Sequence, residues 1–142
     1  MFEQHIECIH DCLQRAEEMS SRESLGMQMF DGFFARYPEA RTIFAKTDLE
    51  DFASAKFRLV STLILDSVKH PEYAEANMVG EVHRHQYFDV KDVEYYYGMI
   101  DACRNAVQNT LKAEWTPEIN EYWDEVIQTT KASVQTAYKE AR

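Results

Sequence analysis

The chain has 142 residues, enough for one domain, and no second catalytic or DNA-binding module fits beside it. Fifteen Lys and Arg stand against 25 Asp and Glu, a formal net charge of −10, so a broad nucleic-acid or anionic-membrane surface would meet repulsion. An apolar fraction of 45% with 13% aromatics fills a core and excludes intrinsic disorder.

Four glycines and three prolines make up about 5% of the chain against about 12% in average usage. Tight turns are therefore few, and the chain reads as all-α. The start, Met1-Phe2-Glu3-Gln4-His5, has no basic region followed by an apolar core, and no apolar run approaches the roughly 18 residues of a membrane span. Cys8, Cys12 and Cys103 cannot all pair and are too few for a disulfide scaffold. The expectation is a soluble, cytoplasmic protein, a single domain over residues 1–142, in a reducing compartment.

In chain order, the first predicted helix runs from about Phe2 to Met19, with Ile6, Ile9, Leu13 and Ala16 at helical spacing. His5, Cys8 and Cys12 share one face of it, a soft-metal stripe in principle, but three ligands on one helix rarely surround zinc, and small packing residues are the preferred reading. The second helix, about Ser21 to Tyr37, carries Leu25, Met29, Phe33 and Phe34. Ser20-Ser21-Arg22-Glu23 and Thr47-Asp48-Leu49-Glu50 have capping-box spacing. The third helix, about Leu49 to Lys69, has the stripe Leu49, Ala53, Phe57, Val60, Ile64 and Val68, widened by Phe52, Leu59 and Leu63, as a central helix should.

A shorter helix from about Glu72 to Arg84 leads through a kinked connection at Tyr87-Phe88-Asp89 into two long helices. These span about Lys91 to Ala113 and about Pro117 to Ala141. Pro38, Pro71 and Pro117 all sit where a helix begins, since a first-turn N–H has no partner to lose. All four glycines fall inside predicted helices. Gly26 is placed to let the second helix cross the third near Ala53 and Ala55.

No P-loop, GxGxxG, GxSxG, HExxH or CxxC occurs. What remains is a set of histidines and aromatics. Val79-Gly80-Glu81-Val82-His83-Arg84-His85 puts Val79 and His83 on one helical face. Tyr95-Tyr96-Tyr97 cannot all face one way, so one tyrosine turns inward and another is free for a partner surface. Trp123 reads as core.

Phe33-Phe34-Ala35-Arg36-Tyr37-Pro38-Glu39-Ala40-Arg41-Thr42-Ile43-Phe44 resembles the second-helix exit, proline corner and haem-stacking phenylalanine of bacterial globins. Val79-Gly80-x-x-His83 is similar to the proximal-histidine helix of globins and globin-coupled sensors. Val90-Lys91-Asp92 with Tyr95, and Ile119-x-x-x-Trp123, resemble the starts of the last two globin helices. The resemblance covers about Leu25 to Val134, with the four pieces in order.

The resemblance implies a globin-like three-over-three helical sandwich holding haem b between the Leu49–Lys69 helix and the histidine helix. It also implies a proximal imidazole whose other nitrogen donates to a backbone carbonyl. Phe44 would stack on the porphyrin, and Val79, Val82, Val90 and Tyr95 would line the pocket. Lys56 or Arg84 would meet propionates at its rim. The helix face favours His83 as iron ligand, because the positions matching His85 are Glu81 and Arg84. The spacing to Val90 and Tyr95 favours His85. His83 is preferred, because loops absorb insertions cheaply.

On the distal side, Phe30 stands where many bacterial globins carry tyrosine, Ala53 or Ser54 at the usual distal glutamine or histidine, and Phe57 over the iron. A one-residue shift of that helix would bring Lys56 or Arg58 toward the iron. Ile127 and Tyr138 replace the tyrosine and glutamate that polarise the proximal histidine in flavohaemoglobins, which argues against dioxygenase or peroxidase activity. The function implied is reversible binding of a diatomic gas, oxygen, nitric oxide or CO, for storage, scavenging or sensing. Two alternatives stay open: a haem-free regulatory or interaction domain with a signalling partner, and a haem enzyme needing a separate reductase. A homodimer is neither favoured nor opposed.

Overall fold

The computed structural model describes residues 2–88, 90 and 92–141, apart from the side chain of residue 88. Asp89 and Lys91, both in the motifs read above, lie outside the described residues. Six α-helices, α1 Glu3–Met19, α2 Arg22–Arg36, α3 Leu49–Lys69, α4 Pro71–His85, α5 Val93–Leu111 and α6 Pro117–Glu140, are joined by 3-10 turns at Pro38–Phe44, Gln86–Phe88 and Lys112–Glu114. No strand occurs among the described residues, so the all-α expectation holds. None of the helices is long and apolar enough to cross a membrane.

Local chemistry sets the helix starts. Ser21 Oγ accepts from the Ser24 N–H at 3.0 Å, and Asp48 Oδ1 accepts from the Glu50 and Asp51 N–H groups. Both caps fall one residue after the Ser20 and Thr47 that the capping-box spacing suggests. Asp92 caps α5 through the Glu94 N–H, and Thr116 caps α6 through the Ile119 N–H at 3.2 Å. Each cap satisfies a backbone donor that the first helical turn leaves without an intrahelical partner. Pro71 and Pro117 open α4 and α6, and Pro38 opens the 3-10 turn that follows α2. The chain leaves α5 at Lys112 with φ 52°, a conformation that side chains with a Cβ rarely adopt.

Helix α2 lies across α3 and α5, α4 rests on α6 and α3, and α1 covers α5, α6 and α3. A Cβ at Gly26 would overlap the carbonyl of Ala53, so α2 and α3 cross backbone to backbone. Ala55, the other small residue near the expected crossing, faces solvent. Gly98 gives similar room to the Tyr37 ring. Leu25, Met29, Phe30, Phe57, Ile64, Trp123 and Val126 are fully buried at the centre. Phe30, Phe34, Phe44 and Phe52 form an aromatic cluster, with Phe30 5.3 Å from Phe44 and 5.8 Å from Phe34 between ring centroids.

Candidate functional site

A cavity of about 300 Å³ opens between α3, α4 and α5, within the size range of small-molecule sites. Its α3 wall includes Lys56, Val60 and Leu63, its α4 wall Met78, Glu81 and His85, and its α5 wall Tyr96, Met99 and Ile100. A second lobe of about 50 Å³ adjoins it, lined by Phe33, Ile43, Phe44, Val90 and Tyr95. Lys56, His85, Tyr96 and Met99 border both lobes and form the waist between them.

His85 is the residue around which the site is organised. Its Nδ1 lies 2.6 Å from the backbone carbonyl oxygen of Glu81, one turn back along α4. A carbonyl only accepts, so Nδ1 carries the hydrogen and the neutral ring keeps its lone pair on Nε2. Burial lowers the pKa of the ring, the nearby Lys56 charge lowers it further, and the Glu81 carbonyl and carboxylate oppose both. The neutral, ligand-competent imidazole is thereby favoured.

Lys56 stands on the opposite wall. Desolvation lowers its pKa against the attraction of Glu81. No hydrogen bond or ion pair among the described residues reaches its ammonium. The Glu81 carboxylate is engaged elsewhere, paired with Arg84 and 3.7 Å from His85 Nδ1. The Tyr96 hydroxyl is buried with no hydrogen-bond partner among the described residues. Burial raises its pKa, with Tyr138 and Glu81 acting in the same direction.

Of the residues singled out in the sequence, Lys56, His85, Phe44, Val90 and Tyr95 meet around the two lobes. His83 does not: its side chain is exposed, and its ring lies edge-on to Tyr87, which is 81% exposed. The preference for His83 rested on treating Glu81 as a mark of the solvent face. The inward stripe of α4 is instead Ala74, Met78, Glu81 and His85, and Glu81 borders a cavity where its carboxylate keeps a cation beside it.

Phe57 also sits elsewhere than expected. It is fully buried but away from both lobes, and Lys56, Val60 and Leu63 face the cavity instead. Helix α3 is thus turned by one residue, about 100° of helix rotation. Phe30, Ala53 and Val82 are core residues away from the cavity walls, and Val79 is half-buried beside the core. Arg84 is exposed and paired with Glu81, and Arg58 is exposed.

Tyr96, Met99, Ile100, Met78 and Phe33 line the site without having been assigned to it. Tyr96 and Ile100 are one helical turn apart, as are Met78 and Val82, and both pairs read equally well as core. Nothing in a single sequence separates a cavity wall from a packed face. Among the described residues no group of three or more His, Cys, Asp or Glu side chains is arranged to hold a metal ion. Cys8, Cys12 and Cys103 are free thiols at or near the core, and His5 is paired with Glu125 of α6. No protein-family model matches the chain, and no curated protein is similar enough to it to count as a match.

Proposed function

We propose that this chain is a globin-like haem protein with the three-over-three helical arrangement, which binds a diatomic gas on the iron, and that His85 is the proximal ligand. The observation that carries the reading is the His85 Nδ1 contact with the Glu81 carbonyl, 2.6 Å long, in the wall of the cavity between α3 and α4. An axial imidazole needs this arrangement: one nitrogen held by a backbone acceptor, the other left with its lone pair. A porphyrin supplies four equatorial nitrogens, so one histidine is enough and no multi-ligand cluster is required.

Other features support the reading. The 3-10 turn begins at Pro38 and ends at Phe44, which borders the smaller lobe and packs on Phe30 and Phe34. Val90 and Tyr95 border the same lobe. The unpartnered Tyr96 hydroxyl and Lys56 ammonium are polar groups at the waist that a bound cofactor would be expected to meet. The α3 and α4 residues that line both lobes, Lys56 and His85 among them, would hold the cofactor. The haem would supply an iron that coordinates oxygen, nitric oxide or CO. The chain would supply the axial imidazole, the apolar side chains that exclude water, and the Phe44 ring as a stacking surface.

The test is a hemin titration of the purified protein followed by Soret absorbance, then reduction and exposure to CO. A saturable one-to-one band that shifts with CO is the expected result. Absence of stoichiometric binding overturns the haem reading and leaves the haem-free interaction domain. Turnover above the free-hemin background would move the reading to a haem enzyme.

A further inference from the structure

We propose that Lys56 is the sixth, distal ligand of the haem iron, so that a gas must displace a protein amine before it binds. This rests on the haem reading above and concerns the residue facing His85 within it.

Lys56 and His85 are both at the waist that borders the two lobes, on α3 and α4 respectively, so the space assigned to the cofactor has one of them on each helix wall. The Lys56 side chain is half-buried in the cavity wall and finds no hydrogen bond or ion pair among the described residues. An ammonium there is partly desolvated with no counter-charge bonded to it, which is unfavourable. Glu81, the acid that its charge senses, is already committed to Arg84.

An unprotonated Lys56 amine has one lone pair, and no partner among the described residues takes it up. The other α3 residues at the cavity are Leu59, Val60 and Leu63, which have no donor atom, and Thr62 and Asp66, which carry oxygen and no side-chain nitrogen. Lys56 is therefore the nitrogen that the α3 side of the cavity provides, opposite the imidazole of α4. Its long unbranched stem can swing the amine aside without moving the helix. That makes the ligand displaceable rather than fixed.

The test uses the full chain loaded with hemin at one equivalent. Electron paramagnetic resonance and near-infrared magnetic circular dichroism of the ferric wild type should show a low-spin iron with amine–imidazole ligation. Lys56→Ala and Lys56→Arg should both become high-spin, because arginine keeps the charge and bulk but has no lone pair to give. CO association with the ferrous protein should be faster in Lys56→Ala by at least tenfold. A wild type that is high-spin, or one with bis-imidazole or water as sixth ligand, overturns the proposal while leaving the haem reading standing. So does a low-spin signal that survives both substitutions. Failure of the wild type to bind hemin removes both, and is told apart by the missing Soret band. The wild-type spectra decide the ligand by themselves should either variant fail to fold.

Discussion

Gly26 of α2 lies against the backbone of Ala53 in α3, so close that a Cβ at position 26 would overlap the Ala53 carbonyl. The obstacle is main chain, which cannot rotate away as a side-chain tip could. Gly26→Ala should therefore destabilise the protein by about 1–3 kcal/mol, outweighing the roughly 0.5–1 kcal/mol that alanine gains over glycine in a helix. At Gly32, on the same helix, an added Cβ would meet only the Ala102 methyl at 3.8 Å, an ordinary contact. Gly32→Ala should stabilise by about 0.5–1 kcal/mol. Urea denaturation of the two variants checks both signs at once, and equal effects would contradict the close crossing.

The two histidines of α4 should separate in a binding assay. His85→Ala removes the imidazole that Glu81 orients and should weaken hemin binding by more than the roughly 10–100-fold typical of losing an outer-shell partner. His83→Ala changes an exposed ring and should leave binding within about twofold, in line with the small effects of surface substitutions. Matching losses in both variants would mean that α4 does not present His85 as the sole ligand.

Tyr96 buries a hydroxyl without a partner among the described residues, an arrangement that costs about 1–3 kcal/mol. In the cofactor-free protein Tyr96→Phe should raise stability at pH 7 by about 1 kcal/mol. The same residue sets an alkaline effect. Burial holds the folded phenol above its ordinary value, while the unfolded one ionises near pH 10. Its contribution is therefore intact below pH 10 and lost as pH rises beyond it toward the folded pKa. The wild type should lose stability more steeply than Tyr96→Phe above pH 10, measured by urea melts across that range.

Helices α3 and α6 share one buried polar contact. Ser67 Oγ lies 2.7 Å from both Thr130 Oγ1 and the Ile64 carbonyl oxygen, and Thr130 Oγ1 lies 2.9 Å from the Val126 carbonyl oxygen. Two hydroxyls have two hydrogens for three contacts, so only one of them donates across the interface. Ser67→Ala and Thr130→Val should each cost about 1 kcal/mol. The double variant should cost less than their sum by about 0.5–1 kcal/mol, because the second change no longer strands a buried acceptor. Strict additivity in a double-mutant cycle would mean that the two hydroxyls do not communicate.

Much of the fold could be read from the sequence because it is written in local rules. Proline at helix starts, Thr116 as a cap, and the wide stripe of α3 each depend on neighbours a few positions away. The same rules were off by one residue at Ser20 and Thr47, where the adjacent Ser21 and Asp48 do the capping. Of the candidate site, Phe44, Val90, Tyr95, Lys56 and His85 were legible as a set, but their grouping came from the order of motifs along the chain. Apolar periodicity did not reveal it. Tyr96 and Met99 escaped because a cavity wall and a packed core face have the same pattern of residues.

The sequence by itself determined an all-helical chain, its helix starts, and the narrow set of histidines and aromatics from which any site would be built. Only the tertiary structure decided that His85 and Lys56 border the cavity while His83 meets solvent and Phe57 the core. The physical reason is that one residue along a helix is about 100° of rotation. Which face turns inward is set by how whole helices pack, and polar residues such as Glu81 and Lys56 on the wall of an open cavity blur the apolar pattern that would otherwise mark it.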